Sequence, residues 1–382
     1  MAKSAINTLQ QIKNTVGPLF AWNKLFGITH DTENTMKAVG RTSGLATAGC
    51  ACHLLQLCIR DATTVPVVIG VLEKSRRLED YFRNSPSAQR ELEAQQVTAV
   101  RILQENVTRW DSEFVAISRL YEQKDAIINV TSVLIAENLP VPPFGEEDWN
   151  VVAQLLLVLQ LVRDVSLRLQ SRCVTYSDVV VMLLTLRDSH LAHNEFDLEW
   201  LQAFKSILRT KISERFDSYF LSSKSLGAKS CSVDHRYKGL TFLSGSEVTA
   251  VRTWLLEEMR LHVASSISQQ EVLTPPAQAV SSPLINASFL SRPPQVSTAS
   301  PYETELDDFL GFFPMGNNEM DPLVFWFQFE RRFPNLTKVA IQYLSLQPTS
   351  AESERTFSIA ERAANGWHSR LCLPLFTPII FR

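Results

Sequence analysis

The chain has 382 residues, of which 45% are hydrophobic, and a formal net charge of -3. This length and composition are typical of a globular protein with two or three packed cores joined by linkers. The charge excludes a strongly basic nucleic-acid-binding surface over the whole chain, so any contact with DNA must be local.

The six cysteines are few and scattered: Cys50, Cys52, Cys58, Cys173, Cys231 and Cys372. This pattern argues against a disulfide scaffold and indicates a reducing compartment. Without a Cys-x-x-Cys pair, a structural zinc site is not expected. No uninterrupted apolar stretch reaches the roughly 20 residues of a membrane span, and residues 1–15 lack the apolar core of a signal peptide. We therefore expect a nuclear or, alternatively, a cytoplasmic protein with no membrane partner.

A short buried strand is predicted near the N-terminus. Residues 25–28 are apolar and lead into the polar loop 30–34, as at the carboxyl end of a strand. Residues 4–16 before it and 35–39 after it have helical patterns. Residues 97–103 fit a strand or a helix, and the pattern does not decide between them.

Helical periodicity dominates the middle of the chain. The predicted helices cover 53–62, 66–82, 85–96, 113–128, 146–169, 176–190, 196–220 and 246–268, and a polar turn is predicted at 106–112. This part is therefore predicted to be all-helical. Residues 264–301 then become rich in Ser, Pro, Gln and Ala, with few charges and no periodicity, which is typical of a flexible linker.

An aromatic helix is predicted after the linker. A short helix over 303–313 precedes it, Asp321-Pro322 starts it, and further helices are predicted over 336–344 and 351–364. The apolar surface of the aromatic helix is larger than a single helix can bury, so we expect this surface to form an obligate interface. The side chains that carry this surface are Phe325, Trp326, Phe329 and Phe333.

The most informative segment is residues 344–358, which read Leu-Ser-Leu-Gln-Pro-Thr-Ser-Ala-Glu-Ser-Glu-Arg-Thr-Phe-Ser. The residues alone predict a helix start, with Thr349 or Ser350 as the cap and Glu352 and Glu354 near the positive end of the helix dipole. Together with Asp-Pro-Leu at 321–323 and Ser-Arg-Leu at 369–371, the segment resembles the C-terminal dimerisation signature of the hAT transposase family.

This resemblance implies that the surrounding helices pair two subunits and that Glu354 is the last carboxylate of a catalytic triad. The residues it assigns to dimerisation are Leu323, Phe325, Trp326, Phe329, Phe333, Leu336, Tyr343, Leu344 and Phe357.

Three upstream segments resemble the same family in the same order. Residues 27–39 are similar to the segment that carries the second catalytic aspartate, which is Asp31 here, although the residues alone predict a loop aspartate that caps a helix. Residues 50–53, Cys-Ala-Cys-His, resemble the family's Cys-x-x-His segment, and 108–112 resemble its Arg-Trp motif. The resemblance makes Arg109, Trp110, Cys50 and His53 candidates for DNA contact; by itself, Trp110 is better interpreted as a packed aromatic residue.

Residues 234–238, Asp-His-Arg-Tyr-Lys, also resemble a family element, with His235 in place of its usual proline. The resemblance thus runs from about residue 25 to 371, apart from the linker. It implies a mainly α chain with an incomplete RNase H-like α/β remnant. The predicted parts are a partial RNase H-like core at 1–112, a helical insertion at 113–263, the linker at 264–301 and a dimerisation domain at 302–382.

The departures from the family bear on catalysis. Transposases of this kind use three carboxylates to hold two Mg²⁺ ions, and the resemblance supplies Asp31 and Glu354 only. The opening strand with the first aspartate and the BED-type zinc finger of many relatives are not found in the sequence, so the strand at 25–28 is expected to have an unpaired edge.

We therefore expect a transposase-derived protein without a cofactor or small-molecule substrate, which dimerises with itself or a related hAT-type protein and binds DNA without cutting it. The alternative is an active, Mg²⁺-dependent transposase or nuclease in which Glu33 or Asp111 completes the site. A third interpretation is a poorly folding helical scaffold without defined partners.

Overall fold

Helices dominate the computed structural model, which describes residues 2–16, 25–31, 33–95, 110–270, 300–314 and 319–356. The strands are β1 (Gly27–His30) and β2 (Ala46–Gly49). The helices up to the middle of the chain are α1 (Ala2–Val16), α2 (Asn34–Ser43), α3 (Ala51–Ala62), α4 (Pro66–Asn84), α5 (Pro86–Gln95), α6 (Trp110–Glu122), α7 (Lys124–Ala136) and α8 (Glu146–Leu169). The remaining helices are α9 (Tyr176–Thr185), α10 (Glu199–Phe216), α11 (Leu226–Val233), α12 (Gly245–Gln270), α13 (Pro301–Gly311), α14 (Pro322–Phe329) and α15 (Pro334–Leu344). Residues 351–356 are also helical, and π-helical turns at Leu186–His190 and Asp217–Leu221 follow α9 and α10.

The predicted mainly α fold is confirmed, and α8 has the predicted bounds. The helix predicted over 113–128 is wrong in two respects, because α6 begins at Trp110, inside the predicted turn, and Gln123 separates α6 from α7. The sequence patterns missed β2 and α11. The segment 97–103 and most of the predicted linker lie outside the described residues, and α12 continues past the predicted start of the linker at 264.

The chain divides into two compact units that are not contiguous in sequence. The first comprises 1–174, 178–219 and 347–382, and the second comprises 175–177 and 220–346. These units divide the chain differently from the predicted domains. In particular, the predicted boundary at 112/113 falls inside α6.

The first unit contains a parallel β1–α2–β2 crossover. The two strands pair in register from Gly27 opposite Ala46 to His30 opposite Gly49, so one edge of β1 is paired. Helix α2 packs closely on β2 at Gly40, where an added Cβ would lie only 2.9 Å from Thr47 Cγ2. A larger residue at this position would force Thr47 or the helix to shift, so Gly40 allows the close approach of α2 to the sheet.

Helix α8 forms much of the core of the first unit. Its buried side chains include Trp149, Leu155 and Val162, and it contacts α3, α4 and α6. By length and composition alone, it is the one described helix apolar enough to cross a membrane, and α3 with α4 passes the same test only as a pair bent by 99°. Core helices of soluble proteins pass the same test, so this helix alone does not indicate a membrane span.

Aromatic side chains form the core of the second unit. The ring of Phe309 lies 5.0 Å from that of Trp326 and 5.7 Å from that of Phe333, and Phe325 packs edge-on against Trp326. The indole nitrogen of Trp326 donates a hydrogen bond of 2.8 Å to the carbonyl of Val233. The prediction of an exposed aromatic surface is therefore wrong for Phe325, Trp326 and Phe333, because residues of their own unit cover them completely.

The loop after α11 contacts both α13 and α14 and holds them against this core. Lys238 donates hydrogen bonds to the carbonyls of Phe309 and Phe312, which are acceptors left open at the end of α13. His235 stacks on Phe325 with ring centroids 4.3 Å apart. Neither ring nitrogen of His235 has a hydrogen-bond partner among the described residues, and Asp234 Oδ1 lies 3.9 Å from Nδ1.

We predict that protonation of His235 destabilises the fold. Burial lowers its pKa from the ordinary 6.5, and Asp234, Arg236, Lys238 and Asp321 add smaller effects of both signs. The unfolded chain then binds a proton more readily than the folded chain. The neutral His235 side chain therefore makes its full contribution to the free energy of unfolding above about pH 6.5, and this contribution decreases as the pH falls below that value.

Chemical denaturation of the wild-type chain and of His235→Phe between pH 7.5 and 5.5 tests this prediction. The variant keeps an aromatic ring on Phe325 but removes the titrating group. We expect it to lose the pH dependence and to gain stability on the order of 1 kcal/mol at the acid end, since no buried polar atom is left without a partner. Equal slopes for the two proteins would contradict the prediction.

Candidate functional site

The candidate site lies in the first unit at the carboxyl ends of β1 and β2. Because the strands are parallel, their carboxyl ends lie at the same edge of the sheet. The backbone N–H of Cys50 donates to the carbonyl of His30 over 2.7 Å, and Cys50 is the residue before α3. Asp31 follows His30 directly, as predicted for an aspartate at a strand end.

The segment 347–356 is bound to this same edge. The N–H of Ala51, at the first turn of α3, donates to the carbonyl of Pro348 over 3.0 Å, and the hydroxyl of Thr29 donates to the carbonyl of Gln347. The N–H of Ser350 lies 3.3 Å from Cys50 Sγ, which accepts its hydrogen bond. The two parts of the resemblance that are furthest apart in sequence therefore meet in one place.

Asp31 and Glu354 are both exposed and both make local hydrogen bonds. Asp31 Oδ1 accepts from the N–H of Glu33 over 3.3 Å, and Glu354 Oε1 accepts from the hydroxyl of Ser350 over 2.9 Å. Among the described residues, no three His, Cys, Asp or Glu side chains are grouped closely enough to hold a metal ion. The donors of the described chain therefore do not fit a two-metal site, which needs more carboxylate oxygens than one pair supplies.

The two acids proposed as a third metal ligand, Asp111 and Glu33, occupy other positions in the first unit. Asp111 Oδ1 accepts a hydrogen bond of 2.7 Å from Arg163 Nε, which joins α6 to α8. Glu33 is the exposed residue before α2.

Cys50 is an unusual thiol that the sequence interpretation used only as part of a motif. Its pKa is lowered to about 5, chiefly because the Cys52 thiol donates to it and also because the hydroxyl and N–H of Ser350 do, while burial acts in the opposite direction. The pKa of Cys52 is raised by the same hydrogen bond to Cys50 and by burial. The Cys50 sulfur thus accepts hydrogen bonds from both the N–H and the hydroxyl of Ser350 and anchors the 347–356 segment.

Two arginines fix the helical end of that segment. Glu352 Oε1 accepts from Arg172 Nε over 2.9 Å and also pairs with Arg355. Arg355 in turn donates to the carbonyl of Gln170, just after α8. The basic residue that follows Glu354 therefore serves to dock the segment, a role that the sequence pattern did not indicate.

The residues predicted to contact DNA differ in their exposure, and one of them lies outside the described residues. Cys50 is 1% exposed, so its side chain has no surface for DNA in this conformation. His53 is half-buried in the first turn of α3. Arg109 lies outside the described residues, and Trp110 is described only as the first residue of α6.

The predicted dimerisation residues are mostly covered within their own unit. Leu336, Tyr343 and Leu344 are buried like the aromatic core, Phe329 is half-buried, and Phe357 lies outside the described residues. Leu323, in contrast, is exposed, together with two neighbouring apolar side chains of α14. The exposed apolar face of α14, as we define it, consists of Leu323, Val324 and Phe327, which are 39%, 54% and 83% exposed.

We predict that Ser350→Ala raises the pKa of Cys50, because the variant removes one of the donors that stabilise the thiolate. The measurement is a pH titration of the ultraviolet absorbance of the thiolate, with a Cys50→Ala chain to identify the signal. Ser353→Ala is the matched control, since Ser353 lies in the helix that follows Ser350 and its hydroxyl donates to the carbonyl of Ser350 rather than to Cys50. An unchanged Cys50 titration in Ser350→Ala would show that the contact does not stabilise the thiolate.

Comparison with known proteins places these features in a family context. Residues 305–374 match the hAT family C-terminal dimerisation region. Zinc finger BED domain-containing protein 4 of Homo sapiens is 22% identical over 347 residues, which cover 87% of this chain and 28% of that protein. Putative AC transposase of Zea mays is 22% identical over 346 residues, which cover 84% of this chain and 42% of that protein. The chain therefore spans less than half the length of these relatives, and the predicted hAT-type resemblance is confirmed.

Proposed function

We propose that this hAT-type transposase-like chain dimerises through the exposed apolar face of α14 and binds DNA in the nucleus without cutting it. The partner is a second copy of the chain or a related hAT-type protein. The function requires no cofactor and no small-molecule substrate. The observation that carries the proposal is that the exposed apolar face of α14 lies inside the matched dimerisation region.

The exposed apolar face of α14 has the properties of an interface centre. Phe327 is 83% exposed, although the neighbouring Phe325 and Trp326 are fully buried, so the helix has an apolar side beyond what its own unit covers. Asp321 caps the helix by accepting from the N–H groups of Leu323 and Val324, which fixes the orientation of this side. Exposed, rigidly held aromatic side chains are typical anchors of protein–protein contacts, and a two-fold pair would present the same face from both subunits.

Phe327→Glu in the full chain is predicted to abolish the dimer while the subunit remains folded, because it places charges in the centre of the contact and changes no buried side chain. Light scattering after size exclusion measures the mass, and circular dichroism checks the fold. Phe196→Glu is the matched control, since Phe196 is 93% exposed in the first unit and should leave the dimer intact. A Phe327→Glu chain that still dimerises would refute this assignment of the interface.

The non-catalytic part of the proposal is supported by the use of both family-implied carboxylates in local hydrogen bonds. Asp31 stabilises the turn before α2, and Glu354 accepts from Ser350, the residue before its own helix. We propose that the β1–α2–β2 crossover is an RNase H-like remnant whose carboxyl edge now has a structural role. The anchored 347–356 segment would then connect this remnant to the dimerisation helices along the chain.

One observation favours the alternative of an active nuclease. The segments that carry Asp31 and Glu354 meet at a single sheet edge, as a shared metal site would require. In that case a third acid would have to complete the site, and Asp111 would have to leave its ion pair with Arg163 to take part.

A DNA assay separates these two functions. We predict that the full chain binds duplex DNA, that Arg109→Gln weakens binding by about tenfold through loss of a phosphate contact, and that the DNA stays intact with Mg²⁺ or Mn²⁺. Arg252→Gln, an exposed arginine of the second unit, is the control for a general loss of charge. Metal-dependent cleavage that disappears in Asp31→Ala would establish the nuclease instead.

A further inference from the structure

A polar cavity of about 450 Å³ lies in the first unit between the π-helical turn Leu186–His190 and α10. It contains three cationic side chains and lies apart from the strand edge that carries Asp31 and Glu354. The residues that matter for its chemistry are Arg187, Lys205, Ser206, Arg209, Thr210 and Ser213. A π-helical turn is an uncommon feature that often marks a binding site.

Two of the three cations are already paired with carboxylates. Arg187 donates two hydrogen bonds of 2.7 Å to Asp188, and Lys205 Nζ lies 2.6 Å from Asp197 Oδ2 in a nearly buried ion pair. A guanidinium has five N–H donors, so Arg187 keeps donors beyond these two, and its Nη1 is 3.5 Å from the Ser213 hydroxyl. Arg187 is therefore held in one orientation by Asp188 while donors remain for a ligand.

Arg209 supplies the unbalanced positive charge. It is half-buried and forms no hydrogen bond or salt bridge with any carboxylate of the described chain. The charge of Arg209 acts on the carboxylate of the cavity wall: the pKa of Asp188 is lowered chiefly by its hydrogen bond to Arg187 and also by the charge of Arg209. With three cations and two carboxylates, the lining has an excess positive charge centred on this arginine.

The hydroxyl groups surround Arg209 along one face of α10. Ser206, Thr210 and Ser213 are spaced three or four residues apart, which places them on the same side of the helix as Arg209. Donors thus come from two walls, with Arg187 on the π-helical turn and the others on α10. This arrangement suits a tetrahedral anion, whose oxygens point in several directions, better than a planar carboxylate.

We propose that this cavity binds a phosphate group, with Arg209 as the main charge partner and Arg187 and the α10 hydroxyls as further donors. A nucleotide-sized ligand fits the volume. The phosphate group is the shared chemistry of a free phosphate compound and of a nucleic-acid backbone, and the test below distinguishes these two sources.

Isothermal titration calorimetry of the full chain with inorganic phosphate, adenosine monophosphate and succinate is the experiment. We expect phosphate and the nucleotide to bind and the dicarboxylate to bind at least tenfold more weakly. Arg209→Gln should weaken phosphate binding by tenfold or more, while Arg252→Gln should not change it. An unchanged thermal midpoint of Arg209→Gln shows that the fold is intact.

A second arm identifies the source of the phosphate. Competition by a short duplex DNA that is lost in Arg209→Gln assigns the cavity to a backbone phosphate, whereas nucleotide binding without such competition assigns it to a free phosphate compound. Either result supports the proposal. Absence of phosphate binding, equal binding of succinate, or an Arg209→Gln chain that binds like wild type would overturn it. Dimerisation is measured independently, so failure here leaves the Phe327 result unaffected.

Discussion

Two backbone hydrogen bonds at one edge of a two-stranded sheet form a junction, and the second of them joins parts of the chain that are about three hundred residues apart. Cys50 donates to the carbonyl of His30 and closes the edge, and Ala51 donates to the carbonyl of Pro348 and brings in the C-terminal segment. The second bond uses an N–H at the start of α3, where a helix leaves its donors without intrahelical partners. The sulfur of Cys50 strengthens the same junction by accepting a hydrogen bond from the N–H of Ser350. Because of this junction, the residues around Glu354 belong to the first unit, although they follow the helices of the second unit in sequence.

The aromatic helix α14 packs into the core on one side and leaves an apolar face uncovered on the other. Phe325 and Trp326 complete the core of the second unit, and the indole hydrogen bond to Val233 fixes their position. Phe327 lies on the opposite side and is left uncovered by that unit. This short helix therefore stabilises the core of its own unit with one side and exposes apolar side chains on the other. For this reason it contains more apolar residues than that core buries.

Periodicity in the sequence was sufficient to predict helices such as α8, whose apolar positions repeat over many turns. It could not predict β2, because Ala46, Ala48 and Gly49 have little intrinsic preference for a strand and adopt one by pairing with β1. Apolar residues at 325, 326 and 333 were recognised, but a sequence pattern does not say whether a side chain is covered by its own chain or by a partner. The same limit applies to the site: Asp31 was correctly placed at a strand end, while the contacts of Cys50 and Arg355 depend on a distant segment.

The central claim is that an apolar face outside the folded core joins two subunits. Sedimentation equilibrium of the unmodified full chain over a wide concentration range tests it most directly. A reversible equilibrium that approaches twice the mass of one chain as concentration rises is the predicted result. A single-chain mass at every concentration would contradict the account, because the exposed side of α14 would then have no partner in a second copy.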